Sequence, residues 1–419
     1  MVTSMKKDNK KKTKRNKQNI FLYRIVRFLA WFVAIFAFRR KFIRNEIRGK
    51  KGPFVIIANH AAALDFVNLI GATRTPLTFV ISNSFYNTLP FKSVVSRLGM
   101  IPKQQFQTSL RDLGAMRTTI KEGRILVIYP AGLMCEDGQS TPIPAATYDF
   151  LKWLNTDVYV AKTIGTYFSM PKWAKGIRVG RTFIDIYKLF DKDELHSMPL
   201  DDVKEKTSEA LDFDAYLEQE KLKIKYSKND NIKGLENVLY ACPNCMGEFT
   251  IRTKKKKTIY CVQCGFEETS DKYAFLHNKK GIGDEVRHVS AWSRMIYNNL
   301  KEKVECGKVK KLTTVARVQT IDPKKHKYRN AGRARITLTP DTLSMKGELN
   351  GENVDLAMPT VSFPSLPFKP GRNFEIQHGD VSFRCFPQKP LVVMKWVNLV
   401  KIFYEIKMEE KEKANKQKV

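Results

Sequence analysis

The sequence predicts a layered α/β domain, followed by a small metal-binding ribbon and a β-rich C-terminal domain with a final helix. Three observations support this fold class. Apolar segments that suit strands alternate with helix-prone segments in the first half of the chain. Two Cys-x2-Cys pairs follow near the middle. Residues 333–339 then alternate polar and apolar side chains, as a half-buried strand does.

The composition limits the classes of function. The chain has 419 residues, enough for two or three domains. Its formal net charge of +32 predicts an anionic partner, either nucleic acid or an acidic membrane surface. The cysteine count of 7 is odd and four of them are clustered, which argues against a disulfide framework and favours a reducing, cytosolic environment. No small-residue cleavage site follows the first apolar segment, so we expect no secretory signal.

The N-terminal region combines a basic tail with an apolar helix. Residues 1–19 are lysine-rich without apolar periodicity, which predicts a disordered basic tail. Residues 20–44 are predicted to form a membrane-anchoring helix, in which Arg24 and Arg27 interrupt the apolar run. The uncharged part, residues 28–38, is too short to span a bilayer. We therefore expect an interfacial or re-entrant anchor through residues 20–38 at the cytoplasmic face of the cell membrane; a true span and a core helix are the alternatives.

Residues 54–65 carry the clearest chemical signal. Residues 54–58 are apolar and predict a short buried strand, which ends at Asn59 and His60 before an alanine-rich helix start. If His60 precedes the first turn, Asp65 can fold back towards its imidazole. A carboxylate on one ring nitrogen fixes the tautomer and leaves the other nitrogen free as a general base. A histidine at a strand end can also be purely structural.

Asn-His-x4-Asp after an apolar strand resembles the signature of the glycerolipid acyltransferases, the lysophosphatidic acid acyltransferase family. The resemblance covers roughly residues 50–211. The family's second block, a glycine before a short apolar run and a basic residue, is similar to residues 99–103. Its third block, Phe-Pro-Glu-Gly-Thr-Arg, has the rhythm of residues 129–134, and its fourth, usually Val-Pro-Val, is matched loosely by residues 158–161.

The resemblance implies roles for individual residues. His60 and Asp65 would be catalytic, and the substrate-binding residues would be Asn59, Lys103, Tyr129, Pro130 and Gly132. Gly132 would offer its backbone N–H to an oxyanion. Two positions depart from the family: its glutamate is Ala131 here and its arginine is Met134. Both family residues help to hold the glycerol phosphate of the acceptor. The candidates to replace them in this sequence are Glu136, Lys103, Arg97 and Lys162.

The domain of residues 45–220 has predicted strands at residues 54–58, 78–81, 125–129, 158–163 and 177–188, with helices between them. A charged helix at residues 201–220 closes it, and residues 221–238 are predicted to be a polar linker. Residues 239–270 then contain Cys242, Cys245, Cys261 and Cys264. This spacing predicts a zinc ribbon with a structural Zn²⁺, because four thiolates leave no open coordination position for catalysis.

Residues 271–409 are predicted to hold a helix at residues 274–310, a β-rich domain and a final helix at residues 390–409. A short curved sheet closed by one helix is similar to a pleckstrin-homology-like barrel; a plain packing or dimerisation domain is the alternative. Residues 410–419 form a predicted charged tail.

Together these features predict a membrane-associated O-acyltransferase of phospholipid biosynthesis. Its donor would be a thioester, acyl-CoA or acyl carrier protein, and its partner an anionic membrane. The acceptor implied by the resemblance is a 1-acylglycerol-3-phosphate-type lysophospholipid. Two alternatives remain open. One is a degenerate family member that acts as a membrane scaffold, and the other is a binding module that uses the ribbon. Nucleic acid is not the partner we expect, because no recognition helix stands out.

Overall fold

The structure is a computed structural model that describes residues 18–89, 92–106, 109–228, 230–322, 327–379 and 381–416. The predicted basic tail lies outside these ranges except for Gln18 and Asn19. Gln18 donates hydrogen bonds to the backbone oxygens of Leu77 and Leu98, and the side chain of Asn19 caps the first helix. The last two residues of the predicted tail therefore belong to the folded domain.

The first domain is built on a mixed seven-stranded sheet. Its strands are β1 (Lys41–Asn45), β2 (Phe54–Ala58), β3 (Leu77–Ser82), β4 (Ile101–Lys103), β5 (Ile125–Ile128), β6 (Val158–Ile164) and β7 (Phe183–Phe190). They lie in the order β1-β7-β6-β2-β5-β3-β4, and β6 and β7 run antiparallel while the other neighbours run parallel. All of β2 is buried, because both faces of the sheet are covered by helices. The predicted α/β class is confirmed.

Helices cover both faces of this sheet. They are α1 (Ile20–Phe36), α2 (Asp65–Ile70), α3 (Asn83–Thr88), α4 (Lys92–Arg97), α5 (Leu110–Lys121), α6 (Ala146–Leu154), α7 (Thr166–Ser169), α8 (Lys192–Ser197), α9 (Leu200–Leu211) and α10 (Ala215–Leu222). One core includes α1 and α2, and the opposite core includes α5, α6 and α9. The single helix predicted at residues 201–220 is wrong: Asp214 caps α10 from an extended conformation, so the chain turns between two helices.

The segment predicted as a membrane-anchoring helix, residues 20–44, differs in the structure. The helix ends at Phe36, and the segment continues into strand β1, which pairs with β7. One side of α1 is buried on the domain through Tyr23, Ala30 and Ala34. Among the described residues, no helix combines the length and the apolar character needed to cross a membrane.

The segment predicted as a linker, residues 221–238, is packed. Tyr226, Ile232, Leu235 and Val238 are buried, and the Tyr226 hydroxyl donates a 2.7 Å hydrogen bond to the backbone oxygen of Arg181. The linker prediction failed because these apolar residues are isolated between polar ones, with no helix or strand period to mark them.

The ribbon is a four-stranded antiparallel sheet. Its strands are β8 (Ile251–Lys254), β9 (Thr258–Cys261), β10 (Glu267–Ser270) and β11 (Leu276–His277), in the order β11-β10-β9-β8. The helix predicted from residue 274 is wrong over its first part, because β11 occupies that position and α11 (Val289–Glu305) begins later. Gly281 and Gly283 between them have positive φ, which an α-helix excludes.

The C-terminal domain is an antiparallel sheet with one long helix. Its strands are β12 (Leu312–Ile321), β13 (Tyr328–Leu338), β14 (Thr342–Leu349), β15 (Glu352–Pro359), β16 (Phe368–Lys369), β17 (Asn373–His378) and β18 (Val381–Pro387). They lie in the order β15-β14-β13-β12-β18-β17-β16, and α12 (Val393–Lys416) follows. The helix extends into the predicted tail. The β-rich prediction is confirmed, and the pleckstrin-homology-like resemblance stays a prediction.

The ribbon, α11 and the C-terminal sheet share one hydrophobic core with part of the first domain. This core joins Cys242 and Ile251 of the ribbon to Trp396 of α12 and to Cys135 and Phe213 of the first domain. Trp292 of α11 is fully buried, and its indole N–H donates to the backbone oxygen of Ala241. The later modules are therefore packed onto the first domain, on the side that carries residues 135 and 213.

Candidate active site

His60 and Asp65 meet at the corner between β2 and α2, which we call the corner and define as residues 59–65. His60 Nδ1 lies 3.0 Å from Asp65 Oδ2. The same carboxylate oxygen accepts hydrogen bonds from the backbone N–H groups of Ala61 at 2.8 Å and Ala62 at 2.9 Å. Asp65 is fully buried, whereas the His60 side chain is 22% exposed. The carboxylate is therefore fixed, and the imidazole reaches the surface of the domain.

The imidazole of His60 is held on a second side by Tyr129. The two rings stack with their centroids 4.4 Å apart. Burial raises the pKa of the Tyr129 hydroxyl well above its ordinary value, and the Asp65 carboxylate raises it further. That hydroxyl is buried without a hydrogen-bond partner among the described residues. The structure thus places the ring of Tyr129, predicted to bind substrate, against the histidine.

Asn59, also predicted to bind substrate, uses its amide inside the fold. Its Oδ1 accepts from the backbone N–H of Thr163 at 2.7 Å, and its Nδ2 donates to the backbone oxygen of Thr163 at 2.9 Å. Thr163 belongs to β6, the strand that begins with the loosely matched fourth block. Asn59 therefore fixes the end of β2 to its neighbour and positions His60.

A loop after β5, residues 129–140, forms one wall beside His60; we call it the third-block loop. The N–H of Cys135 donates a 3.0 Å hydrogen bond to the backbone oxygen of His60. Gly132 has φ of +67°, which suits glycine. Its N–H donates to the Tyr129 backbone oxygen at 2.9 Å. The prediction that this N–H serves an oxyanion is wrong for the conformation seen here, because the group is already engaged in a turn.

An open cavity of about 400 Å³ lies between the corner, the third-block loop and the end of α9. His60 and Asn59 contribute to its lining from the corner, and Pro130, Ala131 and Leu133 from the loop. The α9 side contributes Ser208, Glu209 and Asp212. This third wall is not predictable from a sequence pattern, because it reaches the site only through the packing of α9.

Lys103, the basic residue of the second block, lies outside the lining of this cavity. It ends β4 and donates to the backbone oxygen of Gln104 at 3.0 Å, and burial lowers the pKa of its ammonium group. The two residues that follow it bond to the third-block loop and to the C-terminal domain. Gln105 donates to the backbone oxygen of Gly132 at 2.5 Å, and Gln104 donates to Gln377 of the C-terminal sheet at 2.6 Å.

The third-block loop is also fixed by charges from distant parts of the chain. Glu136 is buried and pairs with Lys401 of α12 at 3.0 Å, and the Lys401 ammonium lowers the pKa of the carboxyl while burial opposes it. Lys172 donates to the backbone oxygen of Met134 at 3.2 Å, and burial lowers its pKa to about 8. Asp137 is half-buried, and desolvation and the charge of Glu136 raise its pKa to about 6. The sequence did not predict this cluster, since its partners lie far apart.

The four ribbon cysteines form a cluster whose geometry suits a metal. Their sulfur atoms all lie within 4.8 Å of one another, with Cys242 and Cys264 3.6 Å apart and Cys245 and Cys261 3.8 Å apart. Sulfurs at about 2.3 Å from a tetrahedral zinc would be about 3.8 Å from one another. The predicted ligand set is therefore brought together with the spacing that the ion requires.

Comparison with a family model supports the resemblance over part of the first domain. The family model described as Acyltransferase matches residues 39–149, a segment that holds the corner, the second block and the third-block loop. A comparison with the curated proteins gave no match. Among solved structures, the chain is similar to the 1-acyl-sn-glycerophosphate (LPA) acyltransferase PlsC from Thermotoga maritima, at 16% identity and a TM-score of 0.37, covering 46% of this chain and 74% of that one.

Proposed function

We propose that this protein is a membrane-associated O-acyltransferase that moves a fatty acyl group from a thioester donor, acyl-CoA or acyl carrier protein, to a lipid hydroxyl. The observation that carries the proposal is the 3.0 Å contact between His60 Nδ1 and Asp65 Oδ2 at the edge of a cavity. The contact lies inside the segment that matches the acyltransferase model. The resemblance implies a 1-acylglycerol-3-phosphate-type acceptor, so that lipid belongs in any test.

The reaction follows from the protonation of the imidazole. With the Nδ1 hydrogen donated to Asp65, Nε2 carries a lone pair and can accept a proton from a hydroxyl in the cavity. The hydroxyl oxygen then forms a bond to the thioester carbonyl carbon. Collapse of the tetrahedral intermediate breaks the carbon–sulfur bond, and the imidazolium returns the proton to the leaving thiolate. General-base help of this kind contributes about 10²–10⁴-fold to the rate.

The membrane contact is assigned to α1. Its outer side exposes large apolar side chains, among them Phe21 at 74%, Phe28 at 62% and Leu29 at 58%. A contiguous exposed apolar face of this kind is typical of a helix that lies in the membrane interface, here at the cytoplasmic face of the cell membrane. Flotation of Phe28→Ser/Trp31→Ser protein with anionic vesicles tests the contact. The control variant is Leu110→Ser, because Leu110 is an exposed apolar residue on α5. An equal loss of vesicle binding in both variants would contradict the assignment.

The ribbon is proposed to hold one structural Zn²⁺ through Cys242, Cys245, Cys261 and Cys264. The ion would supply folding energy to a short segment that has little apolar surface of its own. Hydrogen bonds would tune the thiolates: the Asn244 amide donates to Cys264 Sγ at 3.5 Å, and Thr250 Oγ1 lies 3.2 Å from Cys261 Sγ. All four ligands are thiolates, so the site is not proposed to take part in catalysis.

The test is acyl transfer by the purified protein in anionic vesicles. Labelled acyl-CoA and acyl carrier protein are offered with lysophospholipids and neutral lipid alcohols, to wild type, His60→Ala and His196→Ala. His196 is exposed on α8, so its variant controls for loss of a histidine. Product from wild type and His196→Ala but not from His60→Ala supports the proposal. Full activity of His60→Ala contradicts the mechanism, and folded, zinc-loaded protein that makes no product favours the scaffold alternative.

A further inference from the structure

The cavity beside His60 has an unusual set of polar side chains for a site expected to receive a phosphate. Hydroxyls come from Ser140, Thr141 and Ser208, and carboxylates from Glu209 and Asp212. The rest of the lining is mostly apolar. No lysine or arginine is found among the described residues that line it. The Ser140 hydroxyl donates a short hydrogen bond to Asp212 Oδ1, which joins two of the walls.

Two of the basic residues that could compensate for the missing family arginine, Lys103 and Lys162, are engaged elsewhere. Lys162 donates to the backbone oxygen of Asp212 without reaching the lining. Lys103 donates to Gln104, and Lys401 is paired with Glu136. Met134, at the family's arginine position, also lies outside the lining. The walls of the cavity therefore carry negative and neutral groups.

We propose that the acceptor is a lipid whose reacting hydroxyl belongs to an uncharged polyol headgroup, and that a phosphate monoester beside that hydroxyl is rejected. This inference rests on the proposed acyl transfer at His60. A phosphate group carries about −1.5 to −2 charges at pH 7. It would lose its water without gaining a cation, and Glu209 and Asp212 would repel it. Polyol hydroxyls, in contrast, donate to carboxylates and exchange hydrogen bonds with Ser140, Thr141 and Ser208.

The negative charge on the α9 wall would then set the preference for an uncharged lipid over a phosphate-bearing one. Glu209 and Glu205 lie one turn apart on α9, and both are exposed, but only Glu209 lines the cavity. Glu209→Lys and Glu205→Lys change the net charge of the protein equally. The pair therefore separates an effect inside the cavity from general attraction of an anionic lipid to a basic protein.

The experiment compares 1-acylglycerol with 1-acylglycerol 3-phosphate of the same acyl chain, both presented in phosphatidylcholine vesicles. We expect wild type to favour the neutral lipid by at least about tenfold in kcat/KM, and Glu209→Lys to narrow that ratio by about threefold or more. Glu205→Lys should leave the ratio unchanged. A wild-type preference for the phosphate lipid, or equal shifts in both variants, would overturn the inference.

Binding supplies a readout that does not depend on turnover. The same two lipids are labelled, carried in neutral detergent micelles and titrated into His60→Ala protein. Tighter binding of the neutral lipid than of the phosphate lipid supports the inference even where no transfer occurs. Adding Glu209→Lys should reduce the difference in affinity between the two lipids. No product from wild type with either lipid counts against the proposed function, whereas tighter binding of the phosphate lipid counts against the acceptor class.

Discussion

The corner and the third-block loop form two walls of one cavity, but they are held in different ways. In the corner, the three hydrogen bonds that hold the Asp65 carboxylate against His60 and the helix start join residues at most five positions apart. In the third-block loop, Glu136 pairs with a lysine 265 positions away, and the side chain of Gln139 bonds to Ser290, 151 positions away. The His60–Asp65 contact is therefore local in the sequence, whereas the third-block loop is held by residues from distant parts of the chain.

This difference predicts that destabilising the C-terminal half of the chain changes the structure of the third-block loop before it changes the corner. Strand β2 lies in the two cores of the first domain. The core that the ribbon and α12 share includes Cys135 and Phe213, beside the cavity, and from the corner it includes Ala61. A change far from His60 can thus alter how the acceptor binds while the His60–Asp65 contact persists.

Loss of the proposed Zn²⁺ is the largest expected effect. Metal binding supplies on the order of 10 kcal/mol to a small zinc site, so Cys242→Ser should unfold the ribbon and raise the KM for the acceptor. Zinc content, proteolysis of the ribbon and acceptor KM are the measurements. Cys306→Ser is the control, since Cys306 is exposed and lies outside the cluster. Full stability of Cys242→Ser protein without zinc would show that the core alone holds the loop.

Asp65→Asn should damage the corner without unfolding it. An amide oxygen can still accept from Ala61 and Ala62, but the neutral amide no longer stabilises the imidazolium that forms when His60 takes a proton. We expect kcat to fall by about 10²–10⁴-fold with little change in acceptor KM. The control is Asp149→Asn, an exposed carboxylate on α6. A change confined to KM would mean that Asp65 shapes the cavity rather than orienting the base.

Lys401→Met tests whether the ion pair with Glu136 holds the third-block loop in place. It leaves the buried Glu136 carboxylate with only Lys172 nearby, so we expect a loss of about 3 kcal/mol of unfolding free energy and a raised acceptor KM. Lys411→Met, exposed on the same helix, is the control. Glu136→Gln/Lys401→Met should recover part of that stability, because the Glu136 carboxylate is then no longer buried without the lysine that pairs with it. If the double variant is less stable than Lys401→Met, the ion pair is not what fixes the loop.

The same contrast explains what could be predicted from the sequence. The corner could be predicted because its strand, turn and helix start follow one another within residues 54–65. The ribbon was visible because its ligands come in two close pairs. The α9 wall and the Glu136–Lys401 pair were not, since each depends on tertiary packing that leaves no periodic signal. Strand β1 was missed for a related reason: its basic residues were assigned to the end of the preceding helix.

Tyr129→Phe should have the smallest effect on stability and kcat. It tests the contact between the corner and the third-block loop, which meet where Tyr129 lies against His60. The hydroxyl of Tyr129 is buried without a partner among the described residues, while its ring stacks on His60. Removing an unpaired buried hydroxyl should leave stability unchanged or raise it by up to about 1 kcal/mol, and kcat should stay close to wild type. Tyr129→Ala, which removes the stacked ring, should lower kcat. A marked fall in kcat for Tyr129→Phe would instead assign the hydroxyl a part in the reaction, through the Asp65 carboxylate whose charge already acts on it.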